Sequence, residues 1–542
     1  MSHDSAAALL SDSGIVAAIE EGKLARSRTI GGVPRTAIQF CLERAGIAWR
    51  DVQHIAVASQ TSASSEAVAI ELSNIRALKQ MAGGPDRVKT FDHHLCHAAS
   101  AFYASPYEQA LIVTLDEGGE GRSGIVALGE GNRVQEIESV HFPHSLGRVY
   151  SEVTRLLGWR AHGDEHKVQW LSLIGEAEFE SVFMAMLRRE EGGPPHLNDQ
   201  YFRHDAPGEF YFTDDFYQAI GSAPTSKDQS AVSFDDTKRA NIAASLQKAV
   251  SRVVCDWVTS LRSKSRQNSL CLAGGLFLNP LLVAEIETRA GFGNIFIQPA
   301  AGNEGTALGA AWIASREAVP SPSRPSIAAG APFWGPSYSN AQIKFVLDNC
   351  KATYRWLDSD DLKLAETLRL LNAGKIVALF QQEVEFGPRA LGDRSLLASP
   401  WAPYVKENLN DFVKHRESFR PFALSIPEED CANFFQVSSN ARFMTTMAKA
   451  NEAGRALLKG LPEGFLLRDD LVRLQAVRES DNRFFWRLLK RFGENAPAPI
   501  LVNTSFNLFG EPLVVTPRDA IRSYFCSGTD AMVIGNFLVV KR

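Results

Sequence analysis

The chain has few cysteines, no long apolar run and no excess of either charge, and each absence excludes a class of protein. Its seven scattered cysteines form no CxxC pair, which argues against a disulfide scaffold or a thiolate zinc site and fits a reducing compartment. No apolar run reaches the roughly 18 residues that span a membrane, and the first residues lack the basic and apolar regions of a signal peptide. The net charge of −5 argues against a protein that coats nucleic acid. The sequence therefore predicts a cytoplasmic protein that binds neither membrane nor nucleic acid.

The 542 residues, 45% of them hydrophobic and 22% charged, are typical of a globular protein with two to four structural units. Apolar runs such as HIAVAS, ALIVTLD and SLCLA alternate with segments of helical periodicity. This alternation predicts an α/β fold with a mostly parallel sheet. A proline-rich stretch at 317–338 predicts a linker, which divides the chain into domains at 1–325 and 340–542.

The segment DHHLCHAASAF carries two histidines at helical spacing. His93 and His97 are four residues apart and share one helix face, and Asp116 closes the apolar run ALIVTLD. Imidazole together with carboxylate suits iron, zinc or manganese, and the carboxyl ends of strands line ligand crevices in α/β sheets. The residues alone leave two interpretations open: a metal site, or solvated histidines near a turn aspartate.

Two glycine turns follow predicted strands, at 273–275 and at 301–305. Exposed backbone amides at such turns suit phosphate or another anion, and Asn279 could hydrogen-bond a small polar ligand. Glycine and asparagine are equally the default residues of plain turns, so the turns by themselves decide nothing.

A third pattern is a set of cations in the C-terminal half, in GPRALGDRS and VKHRESFRPF. Guanidinium groups present planar forks that grip phosphate oxygens. The alternative is a set of surface arginines paired with the nearby Glu385, Asp393 and Glu417. The candidate residues are Arg389, Arg394, Lys414, Arg416, Arg420, Arg473 and Asn503.

Six motifs occur in a fixed order along the chain: DHHLCHAASAF, LCLAGGLFLN, QPAAGNEGTALGAA, EFGPRALGDRSLLA, ESFRPFA and VNTSFNLFGEPLV. Together they resemble the carbamoyltransferase family of nodulation-factor, cephamycin and tobramycin carbamoyltransferases. The resemblance covers nearly the whole chain. It implies an actin/hexokinase-like duplicated N-terminal domain, similar to the tRNA threonylcarbamoyl transferase, and a YrdC-like α/β C-terminal domain.

The family resemblance also implies the chemistry. The C-terminal domain would make carbamoyl-adenylate from carbamoyl phosphate and ATP with magnesium, and the N-terminal domain would transfer the carbamoyl group to a hydroxyl or amine of a small natural-product or sugar acceptor. Iron(II) or another divalent metal would polarise the adenylate. The implied metal ligands are His93, His97, Asp116 and Asn303. The implied nucleotide and carbamoyl contacts are Arg28, Gly275, Asn279, Arg389, Lys414, Arg420, Arg473 and Asn503, with His3, Asp116 and Asn279 as catalytic groups.

This sequence departs from the family pattern in four places. It starts at the family's opening His-Asp pair, so we expect either a misassigned start or a remodelled sheet edge. Asn303 stands where the family usually has an aspartate, with Glu304 next to it as a substitute ligand. Gly22 stands where the family usually has an acidic residue, and the segment 164–176 differs from the family's sequence. Two alternatives therefore remain: a catalytically decayed binding or scaffold protein, and a partner in tRNA modification, which the net charge disfavours. The resemblance is compatible with a homodimer.

Overall fold

The computed structural model describes residues 4–27, 31–59, 65–83, 87–119, 121–203, 211–222, 234–318 and 331–541. The chain forms two compact units, one of residues 1–16 and 29–328, the other of residues 17–28 and 329–542. The second unit therefore takes in a short segment from the start of the chain, which the division at 325–340 does not foresee. Of the predicted linker, residues 319–330 lie outside the described residues.

The α/β class is confirmed, because strands and helices alternate through the first 318 residues. The strands are β1 (Ala6–Ser11), β2 (Gly14–Glu20), β3 (Ile55–Ala58), β4 (Val88–Phe91), β5 (Gln109–Gly119), β6 (Arg122–Glu130), β7 (Arg133–His141), β8 (Leu187–Arg189), β9 (Pro195–Leu197), β10 (Phe202–Arg203), β11 (Tyr211–Phe212), β12 (Ser269–Ala273) and β13 (Asn294–Ile297). The helices are α1 (Glu21–Leu24), α2 (Arg35–Ala45), α3 (Ser65–Met81), α4 (His93–Ala104), α5 (Leu146–Leu156), α6 (Glu165–Leu171), α7 (Glu180–Met186), α8 (Asp214–Ala219), α9 (Asp236–Ser265), α10 (Pro280–Arg289) and α11 (Thr306–Ala318).

The main sheet of the first unit is mixed, so the prediction of a mostly parallel sheet is wrong. Its order is β13-β12-β5-β6-β7; β13, β12 and β5 are parallel, whereas β5, β6 and β7 are antiparallel. The physical reason is the short connection at 119–122, since strands joined by so few residues form a hairpin. The hairpin itself is the one that the glycine-rich run EGGEGR predicts.

Local signals fix where the helices near this sheet begin. The Asp92 carboxylate accepts a hydrogen bond from the Leu95 N–H at 2.8 Å and so caps α4. Asn279 caps α10 in the same way, and Pro280 supplies the first helical residue. Helix α4 therefore starts directly after β4, whereas the 3₁₀ turn Gly275–Leu278 separates α10 from β12.

The second unit is built on an eight-stranded sheet in the order β14-β24-β23-β15-β16-β22-β17-β21. Its strands are β14 (Tyr354–Trp356), β15 (Val377–Phe380), β16 (Arg394–Ala398), β17 (Ala423–Pro427), β18 (Phe435–Gln436), β19 (Ala448–Ala450), β20 (Leu471–Val472), β21 (Leu474–Val477), β22 (Leu501–Ser505), β23 (Ala531–Ile534) and β24 (Phe537–Val540). Its helices are α12 (Asn340–Asn349), α13 (Asp360–Asn372), α14 (Val405–Glu407), α15 (Cys431–Phe434), α16 (Glu452–Leu458), α17 (Arg483–Gly493) and α18 (Pro517–Phe525), with a π-helical turn at Asn408–Lys414.

The direction of three neighbouring strands brings the predicted cations to one edge of this sheet. Strands β17 and β21 are parallel and begin at the same edge, and β22 is antiparallel to β17 and ends there. Arg420 precedes β17, Arg473 precedes β21, and Asn503 pairs with Ala423 at the first position of β17. Residues far apart in the sequence are therefore neighbours.

The buried carboxyl group of Asp393 makes the stability of this unit depend on pH. Burial, and after it the neighbouring Glu385 carboxylate, raise the pKa of Asp393 to about 8. An unfolded aspartate titrates near about 3.9. The folded state therefore holds one more proton between these values, and the free energy of unfolding falls as pH rises through that window.

We expect Asp393→Asn to remove this pH dependence, because the amide has no acidic proton yet keeps the oxygen that accepts from Asn482 at 2.9 Å. In urea unfolding, the free energy of unfolding of the variant should rise by about 1–3 kcal/mol relative to that of the parent between pH 6 and pH 9. The exposed Asp358→Asn is the matched control. Parallel pH profiles for parent and variant would contradict this expectation.

Candidate functional site

Three buried side chains of the first unit converge on one point. Nε2 of His93 and Nε2 of His97 each lie 3.1 Å from Oδ2 of Asp116, and the two nitrogens are 3.2 Å apart. With metal–ligand bonds of about 2.1 Å, two ligands at right angles lie about 3.0 Å from one another. We call these residues the histidine–aspartate triad. Its spacing matches one face of an octahedral coordination shell.

The triad is assembled by the start of one helix and the end of one strand. His93 and His97 lie on the first turns of α4, one turn apart, and Asp116 lies near the end of β5. Oδ1 of Asp116 accepts hydrogen bonds from the backbone N–H of Glu117 at 2.8 Å and of Gly275 at 3.3 Å. These bonds fix the carboxylate, so that Oδ2 faces the imidazoles.

Close-packed glycines surround the triad. A β-carbon built at Gly119 would lie 2.8 Å from the His93 ring, and one at Gly275 would lie 2.9 Å from Oδ1 of Asp116. One at Gly147 would lie 2.8 Å from the backbone of Asp116. Any side chain at these positions would displace a triad member. No sequence motif indicates Gly119 or Gly147, because each approaches the triad only through tertiary packing.

The electrostatics of the triad favour a bound cation. Burial lowers the pKa of His93. Burial alone would raise the pKa of Asp116, but hydrogen bonds from the two histidines hold it well below its usual range. Two imidazole nitrogens therefore face one carboxylate oxygen and also each other, an arrangement that a divalent metal satisfies. Among the described residues, no other three His, Cys, Asp or Glu side chains bring their ligand atoms within 4.8 Å of one another.

His94 is excluded from the triad although it stands between its two histidines in the sequence. Its Nδ1 lies 3.1 Å from Oγ1 of Thr114, and its Nε2 lies 3.2 Å from the Arg122 carbonyl. Burial lowers its pKa to about 3, so it stays neutral. Helical spacing explains why His94 points away and is structural.

The other predicted residues of this unit occupy different positions. Asn303 is the first residue of the 3₁₀ turn Asn303–Gly305, which packs against α4, and its carbonyl accepts from the Thr306 hydroxyl at 2.6 Å. Ligation by Asn303, or by the buried Glu304, stays a prediction.

Asn279 is 1% exposed, caps α10 and donates to Gln247 at 2.7 Å, so its side chain is hydrogen-bonded at both ends. His3 and Arg28 lie outside the described residues.

The second unit gathers four guanidinium groups at the sheet edge where β17 and β21 begin. They belong to Arg389, Arg416, Arg420 and Arg473, and we call them the arginine cluster. Burial, and after it the other three charges, lower the pKa of Arg473 well below its usual range. Burial and the charge of Arg420 lower the pKa of Arg389 to about 10. Nη1 of Arg420 lies 3.5 Å from the Glu417 carboxylate, and four guanidinium groups gathered in this way suit an anion such as phosphate.

A lysine and the end of β22 add polar groups in this unit. Lys414 donates to Oδ1 of Asn507 at 2.7 Å and also to the carbonyl of Ser505. Asn503 is 2% exposed; its Nδ2 donates to Gln475 at 2.8 Å, whereas its Oδ1 accepts no hydrogen bond from the described residues. Ser505 and Asn507 both lie in the motif VNTSFN but are not among the predicted site residues.

Arg394 has a purely structural place despite its position in GPRALGDRS. The residue is fully buried, and its guanidinium carbon lies 3.7 Å from the centre of the Phe380 ring. Its guanidinium N–H groups donate to the carbonyls of Gln381 and Gln382. Gly22 likewise has a local reason, because a β-carbon there would lie 2.5 Å from the Ser27 carbonyl oxygen.

We expect His97→Ala to weaken iron(II) binding by more than about 100-fold, because it removes one of three convergent ligands. The neighbouring His94→Gln is a matched control on the same helix and should retain the metal. Calorimetric titration of the purified variants with iron(II) measures both. Equal losses in the two variants would show that helix disruption, and not ligation, is responsible.

We expect Asn303→Asp to tighten iron(II) binding by about 10-fold if the side chain reaches the ion, because a second carboxylate adds one negative charge. The same titration, with Asp116→Asn as the opposite change, tests this. An affinity that stays flat in Asn303→Asp but falls in Asp116→Asn would leave Asn303 as a turn residue.

Comparison with known proteins places these two sites in a family. The model for the carbamoyltransferase N-terminus matches residues 1–74 and 65–312, and the model for the carbamoyltransferase C-terminus matches residues 368–541. The protein sll1178 of Synechocystis sp. is 31% identical over 99% of this chain and 95% of its own length. Nodulation protein NolNO of Sinorhizobium fredii is 32% identical over 100% of this chain and 79% of its own.

A relative with a named reaction matches part of the chain. The 3'-hydroxymethylcephem-O-carbamoyltransferase of Amycolatopsis lactamdurans is 31% identical over 45% of this chain and 44% of its own length. Within the described residues, no helix is long and apolar enough to cross a membrane. The family resemblance and the enzyme class inferred from the sequence motifs are both confirmed: this chain belongs to the carbamoyltransferase family.

Proposed function

We propose that this chain is an ATP-dependent carbamoyltransferase, which forms carbamoyl-adenylate and transfers the carbamoyl group to a hydroxyl or amine of a small natural-product or sugar acceptor. The observation that carries the proposal is that one carbamoyltransferase chain holds both a cluster suited to phosphate and a triad suited to a divalent metal. Two separate sites are what a two-step reaction with an activated intermediate requires.

The second unit is the proposed site of activation. By atom balance, carbamoyl phosphate, water and ATP give carbamoyl-adenylate, phosphate and pyrophosphate, so the site must hold several phosphate groups. The arginine cluster supplies four cations for them, and magnesium would accompany ATP. The buried Oδ1 of Asn503 suits an N–H donor such as the carbamoyl amino group.

The first unit is the proposed site of transfer. The residues that would hold the metal are His93, His97 and Asp116, with Asn303 as a neutral fourth ligand. A bound divalent ion supplies Lewis acidity that polarises the carbamoyl carbonyl. The chain's own contribution is orientation: the Gly275 amide fixes the Asp116 carboxylate. In this proposal, the family resemblance also assigns His3 to receive the acceptor proton, and Arg28 and Asn279 to contact the adenylate.

The names of two relatives indicate the class of acceptor. One is a nodulation protein and the other carbamoylates a hydroxymethyl group on a cephem, which is a small natural product. A small hydroxylated acceptor is therefore part of the proposal. The alternative of a decayed binding protein draws on the neutral Asn303, but the intact triad argues against it.

We expect Arg389→Ala to abolish pyrophosphate formation from ATP and carbamoyl phosphate and to leave metal binding intact. Losing a charge-assisted contact to phosphate costs about 1.5–3 kcal/mol of binding, or roughly 10- to 150-fold in affinity. His97→Ala should give the opposite result, with pyrophosphate still formed and transfer stopped. A coupled pyrophosphate assay and iron titration measure both.

The exposed Arg518→Ala, on α18, is the control for a general loss of positive charge in the second unit. Unchanged pyrophosphate formation in Arg389→Ala would refute the role of the cluster. A loss of adenylate formation in His97→Ala as complete as its loss of transfer would refute the division of the two steps.

A further inference from the structure

Glu385 is a fully buried carboxylate that the proposed reaction does not use. Its relative exposure is 0%, and its Oε1 accepts three backbone hydrogen bonds. The donors are the N–H groups of Leu391 at 2.8 Å, Asp393 at 3.1 Å and Arg394 at 3.2 Å. One side-chain oxygen therefore closes the loop 385–394 upon itself.

That loop carries Arg389 at its middle. Its glycines have backbone angles that other residues rarely adopt, with φ of 105° at Gly387 and 123° at Gly392. Nδ2 of Asn503 donates to the Ala390 carbonyl at 3.3 Å, and Nε2 of Gln475 donates to the Leu391 carbonyl at 3.0 Å. The backbone on the C-terminal side of Arg389 is thus held by side chains from two strands and by Glu385.

The start of the loop is held separately, by the short segment from the beginning of the chain that belongs to this unit. Lys23 donates to the carbonyls of Glu385 at 2.6 Å and Gly387 at 2.8 Å. The Glu20 carboxylate accepts from the Gly387 N–H at 2.7 Å. The loop is therefore fixed at both ends, and Arg389 is presented from a rigid arch.

Rigidity matters here because Arg389 is repelled by its neighbours. The positive charge of Arg420 is one cause of its lowered pKa, and Arg389 in turn acts on Arg473. An arginine on a compliant loop would move away from like charges when no anion is bound. Holding it in place lets the anion meet a preformed site.

We propose that Glu385 is a positioning residue, which holds the backbone of loop 385–394 so that Arg389 faces the phosphate-binding position of the arginine cluster. The inference rests on the proposed function, because it assumes an anion at that cluster. A carboxylate suits this task better than a neutral group, since charged acceptors bind backbone N–H groups more strongly.

The consequence is that Glu385 acts through Arg389 and not on the phosphate directly. Glu385→Gln retains an acceptor oxygen but loses the charge, so the three N–H groups are held more weakly. Glu385→Asp retains the charge but shortens the side chain, so it cannot reach all three. Each change should weaken anion binding only while the Arg389 side chain is present.

A double-mutant cycle tests this, with inorganic phosphate titrated calorimetrically as the probe and the KM for carbamoyl phosphate as a second readout. Glu385→Gln should weaken phosphate binding by about 10-fold in the parent, but by less than about 2-fold in the Arg389→Ala background. The metal stoichiometry of the first unit should not change. Glu71→Gln, a buried carboxylate that accepts from Ser59 at 2.7 Å in the first unit, is the matched control.

The outcomes separate the inference from the function on which it rests. An equal loss in both backgrounds would show that Glu385 supports the whole unit and would overturn the inference. If Arg389→Ala weakens phosphate binding and Glu385→Gln does not, the inference is overturned but phosphate binding by the arginine cluster is supported. Phosphate binding that survives Arg389→Ala unchanged would overturn both. If Glu385→Gln does not fold, the cycle is run with Glu385→Asp and judged by the same criteria.

Discussion

One oxygen atom, Oδ2 of Asp116, is the point on which the first unit depends. It lies within 3.1 Å of two imidazole nitrogens, and all three residues are buried. Polar atoms buried this closely are costly unless they share a cation or a proton. The cap of α4, the end of β5 and the glycine at 275 all serve this arrangement. The loss of any one of them would misplace a ligand.

The second unit solves the opposite electrostatic problem. It gathers four guanidinium groups, which the proposed function pairs with phosphate. A buried carboxylate, Glu385, accepts backbone hydrogen bonds from the loop that carries Arg389. In each unit a buried acidic side chain accepts hydrogen bonds from backbone N–H groups beside a candidate site. The side chain is Asp116 in the first unit and Glu385 in the second.

The polar residues of the sequence motifs thus divide into two kinds once the structure is known. Arg389 and His97 face the clusters, whereas Arg394 and His94, within the same motifs, hold the fold together. The two kinds are identical in residue type and adjacent in the chain. A motif therefore identifies the site but does not say which of its members carries the chemistry.

Patterns of short range were readable from the sequence. Helical spacing put His93 and His97 on one face, the apolar run ALIVTLD put Asp116 near the end of a strand, and the ordered motifs identified the family. These features depend on neighbours within a few residues or on whole motifs, which the sequence displays directly.

Only the tertiary structure decided which distant residues meet. The close approach of Gly119 and Gly147 depends on strand order and direction, and so does the convergence of Arg389, Arg416, Arg420 and Arg473. Nothing in the local sequence distinguishes a glycine needed for a turn from one needed for close packing. In the same way, an arginine that faces three others looks in the sequence like one that faces water, because electrostatic repulsion and burial act across space and not along the chain.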